Sequence, residues 1–562
     1  MTELACYPYG VGYQDEGVCL RIQIGPYSML FDCGLEDIAP LKENAVDFVL
    51  CSHAHTDHIR GLLPLHRAFP HLPIFSSDVT ARLLPLNWPG QADTSFCRTL
   101  PWRSPVEIAP GLTVQLWPAG HLPGAACFLI TYKTSDRTFS VFYSGDCFLS
   151  NGRLVDGMPL TELRNLKPDV MIVEGSYGTE RHPHRKQQEN HLIEHLSEAL
   201  KDKNGRKGRA VFPCPLLGMG QELLMLMRSH HRFTGQPIDI WVDPLIAMGC
   251  DTYLGCLSAL PATVKNFAQH QPLFWDERVL PRIRRLEAST SSAELAASDS
   301  AIFIVHPATP PSTYCQEDFS EWTVFSPDLA NIPLWQSQIA AYEPSRRFDW
   351  FDAIESQTAS GKVHIEHYML ANHCDGGGTT QLIHNLRPQH VVFVHGEPHQ
   401  LENLANLDAL QSRYQLHLPT VAQPVPLPLA DSFWQPAPPS NSQYEGEVEA
   451  TPSGIAMLLP KSIENDVRWS QLADTGIIEA TWQGDHLVIR GLNQKELMKV
   501  RPKSSRSASP VSNDQTCYHC RHLRGQRCRN PESPLVGLQV TSDASCGAFE
   551  RSQPKWNTSD ER

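Results

Sequence analysis

The chain has 562 residues, 41% hydrophobic and 19% charged, a globular composition that excludes wholesale disorder. At roughly 100–200 residues per domain, three or four pieces are expected rather than one. Forty-seven basic against 61 acidic residues give a net charge of −14, which excludes a chain-wide basic surface for nucleic acid but leaves room for a local basic cleft or bound cations.

No run approaches the roughly 18 consecutive apolar residues of a membrane helix, and the start MTELACYPYG lacks a basic segment followed by an apolar one. A cytoplasmic protein with no membrane contact is expected. Up to Cys374 the cysteines are scattered and read as small buried hydrophobes in a reducing compartment.

In chain order, short strands are expected at Val18–Ile24, at Tyr27–Phe31 ending on Asp32, and at residues 48–51, which run into a His-rich loop. Residues 113–117, 126–132, 138–143 and 169–173 continue the pattern. Short apolar strands that deliver polar residues at their carboxyl ends predict a layered α/β fold with its site on the loops beyond them. From about residue 186 the texture changes. Residues 188–201 read as a helix, with Leu192, Ile193, Leu196 and Leu200 on one face and Asn204-Gly205 as its stop. A strand at 209–212, a helix at 221–228 and a strand at Ile238–Val242 predict a second α/β unit with a parallel sheet. Strands at 363–370 and 391–394 follow. Residues 424–442 are rich in Pro and Ser and read as a linker. A small mixed domain is expected at 445–500, with strands near 477–482 and 486–489, and a second, basic linker at 501–515.

The chemistry concentrates in Ser52-His53-Ala54-His55-Thr56-Asp57-His58, which places four potential ligands within six residues after an apolar strand. Two His at i and i+2 can face one cation, and Asp57 with His58 can face a second. Imidazole nitrogen with carboxylate oxygen suits zinc, or manganese or iron at a mixed site. Asp32, His121 and Asp146 also stand at strand ends and can complete such a site.

Together the strings FDCG, SHAHTDH, AGHLPGAA and YSGDC resemble the metallo-β-lactamase superfamily. Further along, Val173-Glu174-Gly175-Ser176-Tyr177-Gly178, Ala371-Asn372-His373 and Val394-His395-Gly396-Glu397 look like the three motifs of the inserted β-CASP domain, in family order. The similarity spans about residues 10–415 and is to the bacterial-type RNA-processing metallohydrolases. The third motif carries His, as in the RNA-processing members; DNA-repair members typically carry Val there.

The resemblance implies an αββα sandwich over residues 1–182, an inserted α/β β-CASP domain over 183–370, and a return segment of the sandwich over 371–423. A linker at 424–444, a small domain at 445–500, a linker at 501–515 and a four-cysteine metal module at 516–550 would follow. By the same resemblance His53, His55 and His121 would hold one metal, and Asp57, His58 and His395 the other. Asp146 would bridge them, and Asp32 would orient a ligand from behind. Two cations about 3.5–4 Å apart can activate a shared water and clamp a phosphodiester oxygen, and Asp57 would also steer the nucleophile. Glu174 and His373 would form the acid that protonates the leaving oxygen, the carboxylate keeping the imidazole charged near neutral pH.

The pattern breaks in two places. Arg60 precedes Gly61 where the family usually has Gly sooner, and Arg60 could meet a phosphate. RNA-cleaving members also carry a Ser-Gly-Met loop whose amides approach RNA; here the strand at 301–305 leads into His306-Pro307-Ala308-Thr309-Pro310-Pro311. Proline has no N–H, so the same cradle cannot form and substrate grip must differ. His182 and His184 read as loop residues, His364 and His367 as packed or exposed, and Met219, Met225 and Met227 as a helix core.

Cys517-x2-Cys520-x7-Cys528-x17-Cys546 has the spacing of a four-thiolate site for structural zinc or a [4Fe–4S] cluster, with His519 or His522 able to replace one Cys. Arg521, Arg524, Arg527 and Arg529 line it and suit RNA backbone or a docked protein partner. The expected activity is a two-metal ribonuclease acting on single-stranded RNA. Two alternatives are a catalytically weak RNA-binding or scaffolding protein of the same fold, and a hydrolase for DNA or a small ester. A homodimer is compatible with all three.

Overall fold

The computed structural model describes residues 4–429 apart from short stretches and residues 328–363, the backbone of two hairpins within 447–491, and parts of 516–551. The chain divides into two compact units, Met1–Pro438 and Pro439–Arg562.

In the first unit, the alternation of the short strands builds two facing seven-stranded sheets. One runs, edge to edge, through Val425–Pro426, Leu4–Val11, Val18–Ile24, Tyr27–Phe31, Phe48–Leu50, Ile74–Ser76 and Arg98–Thr99. The other runs through Gln415–His417, His390–Val394, Val170–Glu174, Thr138–Tyr143, Ala126–Lys133, Leu112–Pro118 and Val106–Ala109. Successive side chains point to opposite faces. Leu20, Ile22, Phe31 and Leu50 of the first sheet therefore meet Phe128, Val141, Ile172 and Val392 of the second in one buried layer. Phe31 stacks on Tyr143 across it, ring centroids 4.6 Å apart. The other faces carry helices. Gly376–Leu386 contacts Val170–Glu174, Pro398–Ala405 contacts His390–Val394, and Thr56–Ile59 contacts Val18–Ile24. The layering is the expected sandwich.

Strand register positions the site. Phe31 pairs with Leu50, Tyr143 with Ile172 and Glu174 with Val394, all in parallel. The residues that follow, Asp32, 51–58, 144–146, 175–176 and 395, consequently emerge at one end of the sandwich.

Residues 185–368 add a six-stranded, all-parallel sheet in the order Arg282–Arg285, Ile238–Val242, Ser300–Val305, Arg209–Pro213, Trp322–Pro327, His364–Tyr368. Helix Arg185–Ala199 packs its buried Leu192, Ile193 and Leu196 toward this unit's core and contacts Arg209–Pro213 and His364–Tyr368. It begins three residues earlier than its apolar face predicts, because Gln188 turns inward: its Nε2 donates to Pro183 O (2.7 Å) and its Oε1 accepts from the Ala371 N–H (2.8 Å). Helix Pro244–Gly255 starts where expected of an Asp-Pro pair, with Asp243 accepting from the Leu245 N–H at 2.8 Å.

One strand passed unread and one reading is corrected. Leu4–Val11 is a strand that Pro8 and a bulge between Pro8 and Gly10 hide from the alternation test. The stretch read as a linker from residue 424 begins inside the sheet: Val425 and Pro426 pair with Cys6 and Ala5, and Leu427 is buried. In the second unit, Glu447–Thr451 pairs with Gly454–Leu458 and Ile478–Gln483 with His486–Gly491, both antiparallel. Residues 501–515 lie outside the described residues. Among the described residues no helix is long and apolar enough to cross a membrane.

Candidate metal centre

The strand Phe48–Leu50 delivers residues 51–55 as a tight loop and Thr56–Ile59 as a single helical turn, so Asp57 and His58 sit on a helix rather than in the loop. Gly34 makes this possible: a Cβ there would lie 1.7 Å from the Asp57 carbonyl oxygen. Asp32 and His395 both hold left-handed backbone, φ 54° and 55°, an uncommon conformation for either residue that packing must enforce. For His395 the restraint includes its N–H, which donates to Val11 O at 2.7 Å.

Three overlapping groups of inward-facing ligand atoms result, one of them Asp146 with Glu174, His373 and His395. The other two carry the histidine cluster: His53, His55, His121 and Asp146 form one, and Asp57, His58 and His395 the other. Within each, the ligand atoms lie within 4.8 Å of one another. Asp146 faces both of the latter. Its Oδ2 is 3.3 Å from His53 Nε2 and 3.6 Å from His121 Nε2, while its Oδ1 is 3.1 Å from His58 Nε2 and 3.5 Å from His395 Nδ1. His395 Nε2 reaches Asp57 Oδ2 at 3.2 Å.

These groups fit divalent cations. Among the described residues, His53 Nε2, His58 Nε2, Asp57 Oδ1 and both Asp146 oxygens are buried with no hydrogen bond of acceptable geometry. Burying carboxylates and imidazoles unsatisfied is costly, and a cation between them removes that cost. Burial, then the neighbouring His53, pushes His55 down to about 3, and burial with His373 pushes His121 well below the ordinary histidine value. Both are therefore neutral and able to offer a lone pair. For Asp57, burial favours protonation, but the His395 hydrogen bond and the His58 and His395 charges prevail and hold the carboxyl below its usual range.

The outward nitrogens are anchored, which fixes each ring. His58 Nδ1 donates to Asp32 Oδ2 at 2.8 Å, His121 Nδ1 to Asn372 O at 2.9 Å and His55 Nε2 to Leu217 O at 3.3 Å. Asp32 also accepts from the Ser52 N–H (2.6 Å), Ser52 Oγ (2.7 Å) and Tyr143 Oη (2.6 Å).

Glu174 is the last residue of its strand and is buried, not a solvated turn residue. Its Oε1 accepts from the Cys147 N–H at 2.6 Å and its Oε2 lies 2.9 Å from His373 Nδ1. Burial works against a charge on His373, but the Glu174 carboxylate and its hydrogen bond outweigh it and lift the imidazole to about 9. Ser176 Oγ donates to Glu174 and lies 3.1 Å from His395 Nδ1.

A relative from Synechocystis, an uncharacterized protein, is 48% identical over 561 residues, 98% of this chain and 97% of its own. Residues 28–207 match the family described as Beta-lactamase superfamily domain, and residues 362–413 the Zn-dependent metallo-hydrolase RNA specificity domain. The chain belongs to the metallo-β-lactamase superfamily, in its β-CASP branch of RNA-processing metallohydrolases. A probable RNase of Methanocaldococcus jannaschii is 27% identical over 38% of this chain and 54% of its own. Endoribonuclease YSH1 of Mycosarcoma maydis is 23% identical over 69% and 46%. Beyond the Synechocystis relative, then, the matches span about half the length of these nucleases.

As a β-CASP metallohydrolase the protein is a metal-dependent hydrolase, and its inward His and Asp groups suit a divalent metal. The structure adds residues that sequence reading passed over. Ser52, Tyr143 and Ser176 all lie within the quoted motifs. The Leu217 carbonyl left no signal, since a backbone acceptor has no residue preference. Met219, read as core, is only partly buried and lines a small cleft with His121, Arg185, Tyr253 and Asn372. Arg60 Nε donates to Gly34 O at 3.0 Å, a contact that braces the metal loop. His182 and His184 lie in a loop, and His364 and His367 are exposed.

Proposed function

We propose that the protein is a two-metal hydrolase that cleaves phosphodiester bonds in single-stranded RNA. The observation that carries this reading is Asp146, whose two unpartnered oxygens each face a separate group of ligands. His53, His55 and His121 would hold one metal and Asp57, His58 and His395 the other, with Asp146 available to both. Zinc is the first choice, with manganese or iron compatible with the same donors. Two cations held there supply Lewis-acid polarisation of a phosphodiester oxygen and a more acidic water. Asp57, with Oδ1 unpartnered, orients the attacking water. His373, kept protonated by Glu174, gives its proton to the leaving oxygen. Asp32 holds His58 in place from behind. Residues 183–370 act as the inserted β-CASP domain and 371–423 as the return segment. The names of the two nucleases above support RNA as the polymer.

A second reading, an RNA-binding scaffold, draws on the loop after Ser300–Val305. There the Ala308 N–H donates to His306 Nδ1 (3.2 Å) and the Thr309 N–H to His306 O (2.8 Å), so these amides are used within the loop. Labelled single-stranded RNA incubated with protein and Zn²⁺ or Mn²⁺ separates the two. Products that vanish in Asp57→Ala/His58→Ala are expected. Intact RNA under every metal, with measurable binding, favours the scaffold, and cleavage of DNA but not RNA overturns the substrate.

A further inference from the structure

The segment 516–551 lies outside both family matches. Its described residues nonetheless trace a definite path. Cys517–His519 forms a 3₁₀ turn closed by the Cys520 N–H to Cys517 O at 3.1 Å. Leu523–Arg524 then pairs with Arg527–Cys528 as a hairpin. The far end returns onto this start: the Arg521 N–H donates to Glu550 O at 2.8 Å, and Cys520 bridges Arg551.

Cysteines make up much of what packs between these ends. Among the described residues, the buried cluster consists of Cys517, Cys528 and Val540, with Leu523 and Cys546 packed against it. Segments this short commonly rely on a metal or another cross-link as well as on apolar burial. Three of the five members of that cluster are cysteines, and none of the four terminal cysteines is in a disulfide. The fourth, Cys520, sits at the close of the turn that begins with Cys517. Ser533 Oγ donates to Cys546 Sγ at 3.2 Å, the kind of hydrogen bond that supports a thiolate. Arg521, Arg524, Arg527 and Arg529 lie on or beside the hairpin in the chain, Arg521 being paired with Glu550.

We infer that Cys517, Cys520, Cys528 and Cys546 form a tetrathiolate centre for a thiophilic metal, and that this centre is what folds the tail. A single zinc and a four-iron cluster both use four thiolates, and both would convert two chain ends and a hairpin into one knot.

The test uses the full chain, purified without oxygen, beside Cys517→Ser/Cys528→Ser. Metal and acid-labile sulfide are counted, and tryptic cleavage at Arg521–Arg529 is followed. Val540→Ala serves as the control that trims the apolar cluster but spares the thiols. The expected result is loss of one zinc per chain in the cysteine variant, or loss of iron, sulfide and the visible absorbance of a cluster. Tryptic cleavage in the tail should accelerate at least tenfold, with metal retained in Val540→Ala and the RNA-cleavage rate unchanged in both. These readouts do not depend on catalysis, so they stand even where the RNA reading fails. Equal metal content in wild type and cysteine variant overturns the site. Metal lost with the tail still resistant to trypsin overturns its role in folding.

Discussion

Asp146 joins the two halves of the site through one side chain. Both of its oxygens are buried, unpartnered and aimed at imidazole nitrogens on opposite sides. In Asp146→Asn one oxygen becomes an amide that donates rather than accepts. Elemental analysis is expected to find at most one of the two metals retained, and RNA cleavage to fall below detection. Glu174 makes a different prediction. Its carboxylate lifts His373 to about 9, so the acid is charged at neutral pH and loses its proton as pH rises through that value. Glu174→Gln removes the charge while keeping the shape. The burial that opposes a charged His373 then dominates, and the basic limb of the pH–rate profile moves toward lower pH. At pH 8 the rate should drop by roughly 10²–10⁴-fold, the usual range for a positioned acid. A profile that keeps its basic limb would exclude His373 as the donor.

At the scale of elements, the site depends on how firmly the two sheets are pressed together. Phe31 precedes Asp32 and stacks on Tyr143, whose hydroxyl donates to that same Asp32. Packing and polar support thus share one point. Phe31→Ala is expected to cost about 3–5 kcal/mol, read as a lower urea midpoint at unchanged slope, because a cavity opens between two rigid layers. The same change should weaken metal affinity, since Asp32 anchors His58. The helical turn Thr56–Ile59 shows why some elements escape a sequence reading. Four residues carry no period, and the turn is imposed by contacts such as the Asp57 carbonyl against Gly34. The strand Leu4–Val11 escaped for the opposite reason: its proline and bulge break a pattern that the neighbouring strand restores by pairing.

Across the whole molecule, seven ligands from separate parts of the first unit must be held against mutual repulsion and burial. Cations that bind only the folded form stabilise it by mass action, about 2.7 kcal/mol for each site at 100 times its Kd. Stripping the protein with a chelator is therefore expected to lower its melting temperature by several degrees, with recovery on adding Zn²⁺ or Mn²⁺, followed by thermal denaturation. A melting curve indifferent to metal would contradict the cation fit.

The sequence by itself determined the local facts: which apolar strands form, that His53, His55, Asp57 and His58 stand close enough to serve one site, and which strings belong to a metallohydrolase. The first two follow from period-two burial and from spacing, both readable over a few residues; the third rests on resemblance to a known family. Only the tertiary structure decided the convergence. His395 meets Asp57 across 338 residues because two sheets stack and the strand His390–Val394 pairs in parallel with Val170–Glu174. The Leu217 and Asn372 carbonyls orient histidines through backbone atoms that every residue possesses, so no side-chain pattern could mark them. Glu174 was expected as the partner of His373, but its burial could not be read locally: its environment is assembled by residues 147, 176 and 373, which touch it only once the chain has folded.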